Sequence, residues 1–228
     1  MRGRMKRSNT KSRSGRENRY VALLRGINVG GKNKLPMGEL ASMFGEAGGT
    51  RVTTYIQSGN VVFRAAASVA EQIVRVVSRK IADRFNFEPP IVLRSAEELQ
   101  NLVTSNPFLS ASRAGKGAVA RTIENGTGAK ASDRSQTAGG SKLDLERTLH
   151  VAFLADRPDK RRIAAMDPNR SPGDSFEVRG QDVFLHLPNG VAKSKLTNEY
   201  PDRTLGTTCT LRNWRTVLKL IEMSTEAG

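Results

Sequence analysis

The run Arg25-Gly26-Ile27-Asn28-Val29-Gly30-Gly31-Lys32-Asn33 is the first place where this chain could do chemistry. Its three glycines free the backbone so that several N–H groups can converge on one anion, and Arg25 and Lys32 add positive charge beside them. The spacing Gly26-x-x-x-x-Gly31-Lys32 comes within one residue of a nucleotide-binding P-loop. Asn33 stands where a serine or threonine hydroxyl should meet magnesium. The next helix also waits until after Pro36 instead of opening at the Gly-Lys pair. Both departures argue against a true P-loop. Two readings stand: a cradle for phosphate or carboxylate, and a structural strand-to-helix turn in which Asn28 bonds its own backbone.

Three further clusters offer donors for an anion. Gln57, Ser58, Gly59 and Asn60 supply amides and a hydroxyl; alone they read as a hairpin turn, and they matter only if the tip lies beside the Gly26–Asn33 loop. Lys193, Ser194 and Lys195 make a basic stretch whose commoner role is a solvated loop. Arg212 and Asn213 fall in the first turn of a final helix capped at Thr210, where free N–H groups and the helix dipole favour negative charge. Trp214 reads as a core anchor, with stacking on a base as the sharper alternative. No Ser-His-Asp set, no HExxH and no paired carboxylates are recognisable, so no catalytic residue can be named. Nothing calls for a metal or a cofactor: Cys209 is the lone cysteine, and His150 and His186 are the only histidines.

The elements that would carry these residues follow from periodicity. Tyr20–Arg25 is a short apolar run that reads as a buried strand. Pro36 opens a helix with Met37, Leu40, Phe44 and Ala47 on one face. Two strands, 52–57 and 61–63, flank the Ser58-Gly59-Asn60 turn. Ser68 and Glu71 predict a capping box for a helix with Ile73, Val77 and Ile81 on its stripe. A strand follows Pro90, and Ser95 with Glu98 cap another helix. The order β-α-β-β-α-β is the ferredoxin-like plan. A second α/β half begins near Leu149, with strands 150–155, 176–178 and 183–187 and a last helix carrying Trp214, Val217, Leu218 and Ile221. The predicted fold is α+β, with two ferredoxin-like subdomains built on antiparallel sheets.

Charge divides the chain further. The net formal charge is +15, yet residues 1–19 hold eight Lys and Arg against one acid, with only Met1 and Met5 apolar. Such a segment buries nothing, so 1–19 is expected to be a disordered basic tail. The first subdomain with its linking helix spans 20–109, a Gly-, Ala-, Ser- and Thr-rich flexible insertion spans 110–147, and the second subdomain spans 148–228. No apolar run reaches the roughly 20 residues that cross a bilayer. A single cysteine suits a reducing compartment, which together with the absence of a signal core predicts a cytoplasmic protein with no membrane partner.

Four segments carry a resemblance: YVALLRGINVGGKNKLPM at 20–37, TYIQSGNVVF at 54–63, KSKL at 193–196 and TTCTLRNWRTVLKL at 207–220. In content and order they are similar to the bacterial domain-of-unknown-function 1697 family. The resemblance implies a two-subdomain α+β protein without an agreed activity, so it transfers no catalytic residue. The basic tail and the insertion depart from the compact family pattern. The leading expectation is therefore a non-enzymatic protein that binds an anionic small molecule where the four clusters converge. Nucleic-acid binding aided by the tail is the first alternative, and an enzyme acting on a phosphorylated metabolite is the second.

Overall fold

The computed structural model describes residues 17–109 and 142–226. Most of the expected tail, and the insertion as far as residue 141, lie outside the described residues. The chain is α+β with two four-stranded antiparallel sheets.

The first sheet contains β1 (Glu17–Leu24), β2 (Thr50–Tyr55), β3 (Asn60–Ala66) and β4 (Ile91–Ser95), in the order β2-β3-β1-β4. Helix α1 (Met37–Glu46) joins β1 to β2, α2 (Ala70–Phe85) joins β3 to β4, and α3 (Ala96–Ser105) follows. The apolar run in β1 makes it a central strand. Ala22 and Leu24 face α1 and α2, packing with Phe44, Phe63, Ile73 and Ile81, whereas Val21 and Leu23 face the middle of the molecule.

The second sheet repeats the plan. It contains β5 (Leu149–Leu154), β6 (Ser175–Arg179), β7 (Asp182–His186) and β8 (Cys209–Asn213), in the order β6-β7-β5-β8. Helix α4 (Lys142–Thr148) precedes it, α5 (Lys160–Ala164) joins β5 to β6, and helical turns between Val191 and Gly206 join β7 to β8. The last helix is α6 (Trp214–Thr225). Ala152, Leu154, Val183 and Leu185 pack toward α5 and the helical turns, and Val151, Phe153 and Phe184 turn inward. The two inward faces share one apolar centre with Leu99 and Leu102 of α3 and Trp214, Val217 and Leu220 of α6. Helices α3 and α6 pack on each other, and α6 also touches β1, β3, β5 and β8.

Four boundaries differ from the expectations. Glu17, Asn18 and Arg19 belong to β1, because β3 runs on to Ala66 and supplies their ladder partners. Residues 142–147, assigned to the insertion, form most of α4. Ser68 does not cap α2: Val69 N–H closes a turn on Ala66 O at 3.0 Å and the helix begins at Ala70 with no side-chain cap. The predicted helix start at Thr210 is instead strand β8, which pairs with β5 as β4 pairs with β1. The box at Ser95 does form, with Glu98 N donating to Ser95 Oγ at 3.2 Å and Ser95 N to the Glu98 carboxylate at 2.7 Å.

Candidate functional site

The loop after β1 is stitched from beneath. Ile27 and Leu35 are buried, and they anchor both ends in the first core. Asn28 adopts a left-handed backbone, φ 53°, which asparagine tolerates better than most residues. Its side chain accepts from Leu35 N at 2.8 Å and donates to Leu35 O at 2.9 Å and Gln57 O at 3.0 Å. Asn33, also left-handed, donates to Gly26 O at 2.9 Å, and Lys32 N donates to Val29 O at 3.0 Å. Gly30 and Gly31 follow each other at φ 57° and 76°, exposed, with open space where a side chain would stand. Lys32 and Lys34 project beside them, also exposed.

The turn Ile56–Gly59 lies against this loop, joined to it by the Asn28–Gln57 bond. Gly59, φ 74°, must be glycine: a Cβ there would sit 2.6 Å from Leu24 Cβ. Its carbonyl accepts from Leu24 N at 2.8 Å. Asn60 is fully buried, and its amide donates to Ser58 Oγ at 2.9 Å and Tyr55 O at 3.1 Å.

The two arginines assigned to the anion site are committed elsewhere. Arg25 pairs with the Asp202 carboxylate and donates to Cys209 O at 3.1 Å. Arg212 is not in a helical first turn but in β8, nine-tenths buried. Its Nε donates to Asn60 Oδ1 at 2.6 Å, Nη2 to Leu24 O at 2.6 Å and Ser58 O at 3.1 Å, and Nη1 to Thr210 Oγ1 at 2.7 Å and Leu211 O at 2.9 Å. Every acceptor is neutral. Burial lowers its pKa to about 10, so it stays protonated at neutral pH. Asn213 caps α6, accepting from Thr216 N at 2.8 Å, and Trp214 is a buried member of the central core.

Sequence reasoning missed the partner of Arg212. Arg94 stands opposite Val21 on β1 and just before the α3 cap Ser95; Arg212 stands opposite Val151 on β5 and just before the α6 cap Asn213. Each guanidinium crosses to the other sheet. Arg94 Nη2 donates to Leu154 O at 2.8 Å, Gln181 O at 2.8 Å and the Asp182 carboxylate at 3.3 Å, and its charge lies 5.7 Å from the Phe153 ring centre. Leu24 and Leu154 end the matching strands β1 and β5, and Asn60 and Asp182 begin β3 and β7. The short strings Leu93-Arg94-Ser95 and Leu211-Arg212-Asn213 carried the signal.

Lys193 and Lys195 are exposed, and Lys195 N donates to Ser171 Oγ at 3.1 Å while Ser194 Oγ accepts from Leu196 N at 3.0 Å. Among the described residues no hydrogen bond or ion pair links these lysines to the loop or the turn. The loop, the turn and Arg212 therefore meet, but Arg212 meets them as an internal strut. Burial raises the Cys209 thiol well above its ordinary value, with Asp202 adding to the effect. His150 sits at the far end of β5 against Thr148 O, 3.1 Å away, its pKa lowered by burial. Among the described residues no group of His, Cys, Asp and Glu could hold a metal, and no helix is long and apolar enough to cross a membrane.

Fold and site together define a two-sheet α+β protein whose exposed loop offers backbone amides and lysines. The chain belongs to the family described as Protein of unknown function (DUF1697), whose model matches residues 18–147. No curated protein matches it. Among solved structures, the conserved bacterial protein SP0830 from Streptococcus pneumoniae is similar, with 23% identity, a TM-score of 0.61, and coverage of 92% of this chain and 100% of that one. At that identity the likeness concerns the fold.

Proposed function

We propose that this chain is a non-catalytic protein that binds an anionic, phosphate-bearing ligand at the Gly26–Asn33 loop. The observation that carries the reading is a stiffened, exposed, cationic loop. Five departures into left-handed backbone, at Gly26, Asn28, Gly30, Gly31 and Asn33, are held from below by two asparagine side chains, while Lys32 and Lys34 face water. A loop stiffened before a ligand arrives loses less entropy on binding it, and strained backbone concentrates where recognition needs it. Ile56 in the adjoining turn adds to the strain: a β-branched residue at φ 49°, half exposed. Within this reading each sheet and its helices form one ferredoxin-like subdomain, which the matching strand orders support. A cytoplasmic location fits the unpaired, buried Cys209.

Thermal denaturation tests it, with inorganic pyrophosphate and a panel of nucleotides and sugar phosphates as probes. Ligand at about 100 times Kd should stabilise the fold by about 2.7 kcal/mol. Lys32→Ala should abolish the rise in Tm. A wild-type Tm indifferent to every probe, or a rise that survives Lys32→Ala, overturns the reading.

A further inference from the structure

The loop site has an apolar side that a phosphate alone leaves unused. Val29 and Ile56 are exposed at 66% and 51%, the two highest values among the large hydrophobic residues described. They are not scattered. Val29 pairs with Lys32 across Gly30 and Gly31, which both hold positive φ, so it stands at the end of a small hairpin. Ile56 belongs to the turn that lies against this hairpin. Each is one residue away from a partner in the Asn28–Gln57 hydrogen bond, so both tips open at the same end of the first sheet.

Folding does not require either side chain there. Neither Val29 nor Ile56 packs in the three apolar clusters of the described residues. Ile56 holds φ 49°, a backbone that asparagine or glycine would adopt with less strain than a β-branched residue. An exposed aliphatic group kept at a cost in backbone strain points to a contact outside the chain. Lys32 and Lys34 stand beside Val29, both exposed. We propose that this tip docks on the surface of an anionic phospholipid bilayer. Val29 and Ile56 enter the boundary between headgroups and acyl chains, and Lys32 and Lys34 meet lipid phosphates. The proposal rests on the loop reading above for its phosphate contact and names where that phosphate comes from.

Two features select a bilayer over a free solute. Residues 29–34 are exposed without interruption, with open space around Gly30 and Gly31. A projecting tip of this kind suits a flat layer, whereas a solute is ordinarily held in a concave pocket. Aliphatic and cationic side chains also share one tip, which matches apolar carbon lying beneath anionic headgroups. Such docking needs no spanning helix, so a chain without a spanning segment is free to use it.

Sedimentation of full-length protein with phosphatidylcholine vesicles containing about 30% phosphatidylserine tests the proposal. Val29→Ser with Ile56→Asn should lower the partition coefficient about thirtyfold, and Lys32→Ala should lower it about fivefold. Asparagine suits the left-handed backbone at 56, so the double variant should melt no lower than wild type, which separates lost binding from lost fold. Pure phosphatidylcholine vesicles should bind about tenfold more weakly or less. The same falls are expected in a full-length chain whose seven Lys and Arg within residues 1–16 are glutamine, which removes attraction by that segment. Inorganic pyrophosphate separates the two readings, because the aliphatic double variant should keep its rise in Tm. A pyrophosphate response lost in Lys32→Ala, together with vesicles that sediment no protein, overturns the bilayer proposal and leaves the loop reading standing. Vesicle binding unchanged in the aliphatic double variant, or equal on neutral vesicles, also overturns it.

Discussion

Arg94 and Arg212 occupy matching positions in the two sheets, yet they meet different oxygens. Arg212 reaches only carbonyls, a hydroxyl and the Asn60 amide, so its charge is solvated entirely by neutral dipoles. Arg94 reaches three carbonyls and a carboxylate, Asp182, whose side chain keeps 18% exposure. The backbone requirement is common to both: the carbonyl that ends the partner's central strand needs a donor. The side chain that begins the adjacent strand is free to vary. One half satisfies the arginine with polarity and dryness, the other with charge and some access to water.

Arg212→Met should break the drier junction and give the largest effect. It leaves Leu24 O, Ser58 O and Asn60 Oδ1 without their donor, at about 1 kcal/mol or more each, so a loss of about 3 kcal/mol in urea unfolding is expected. A loss below about 1 kcal/mol would mean that water reaches those oxygens and that the two junctions are alike. Arg94→Met should cost less, about 2 kcal/mol, because Asp182 can turn to solvent. If Arg94→Met proves the costlier of the two, the contrast is reversed.

Asp182→Asn sharpens the comparison by giving the second junction the neutral side-chain acceptor of the first, and its effect near pH 5 should be under about 1 kcal/mol. Burial raises the Asp182 carboxyl pKa, while Arg94 pulls it down. A carboxyl raised in the folded state stabilises below its ordinary value, and that contribution fades as pH climbs through the folded value. Wild type should therefore lose stability relative to Asp182→Asn as pH rises from about 4 toward neutrality. A difference that stays flat across this range would show that the carboxyl behaves as the amide does.

Much of the scaffold was legible in the residues because its signals are local. The apolar run in Tyr20–Arg25, the Ser95–Glu98 box and the glycine turns each fix a few neighbouring dihedrals. Strand β8 was missed because Thr210 and Asn213 both look like helix caps, and only pairing with β5 decides between them. The loop and the turn were legible as candidates, and the Asn28–Gln57 bond joins them. The roles of Arg25 and Arg212 were not, since Asp202 and Leu24 are remote in sequence from the arginines they receive.

The exchange of arginines across the centre has a consequence for how such a chain can be cut or inherited. Expressed alone, either half would bare the apolar side of its sheet and leave a strand-ending carbonyl without a cation that only the missing half provides. A chain built this way cannot shed either half, and changes at one junction are constrained by a partner more than a hundred residues away.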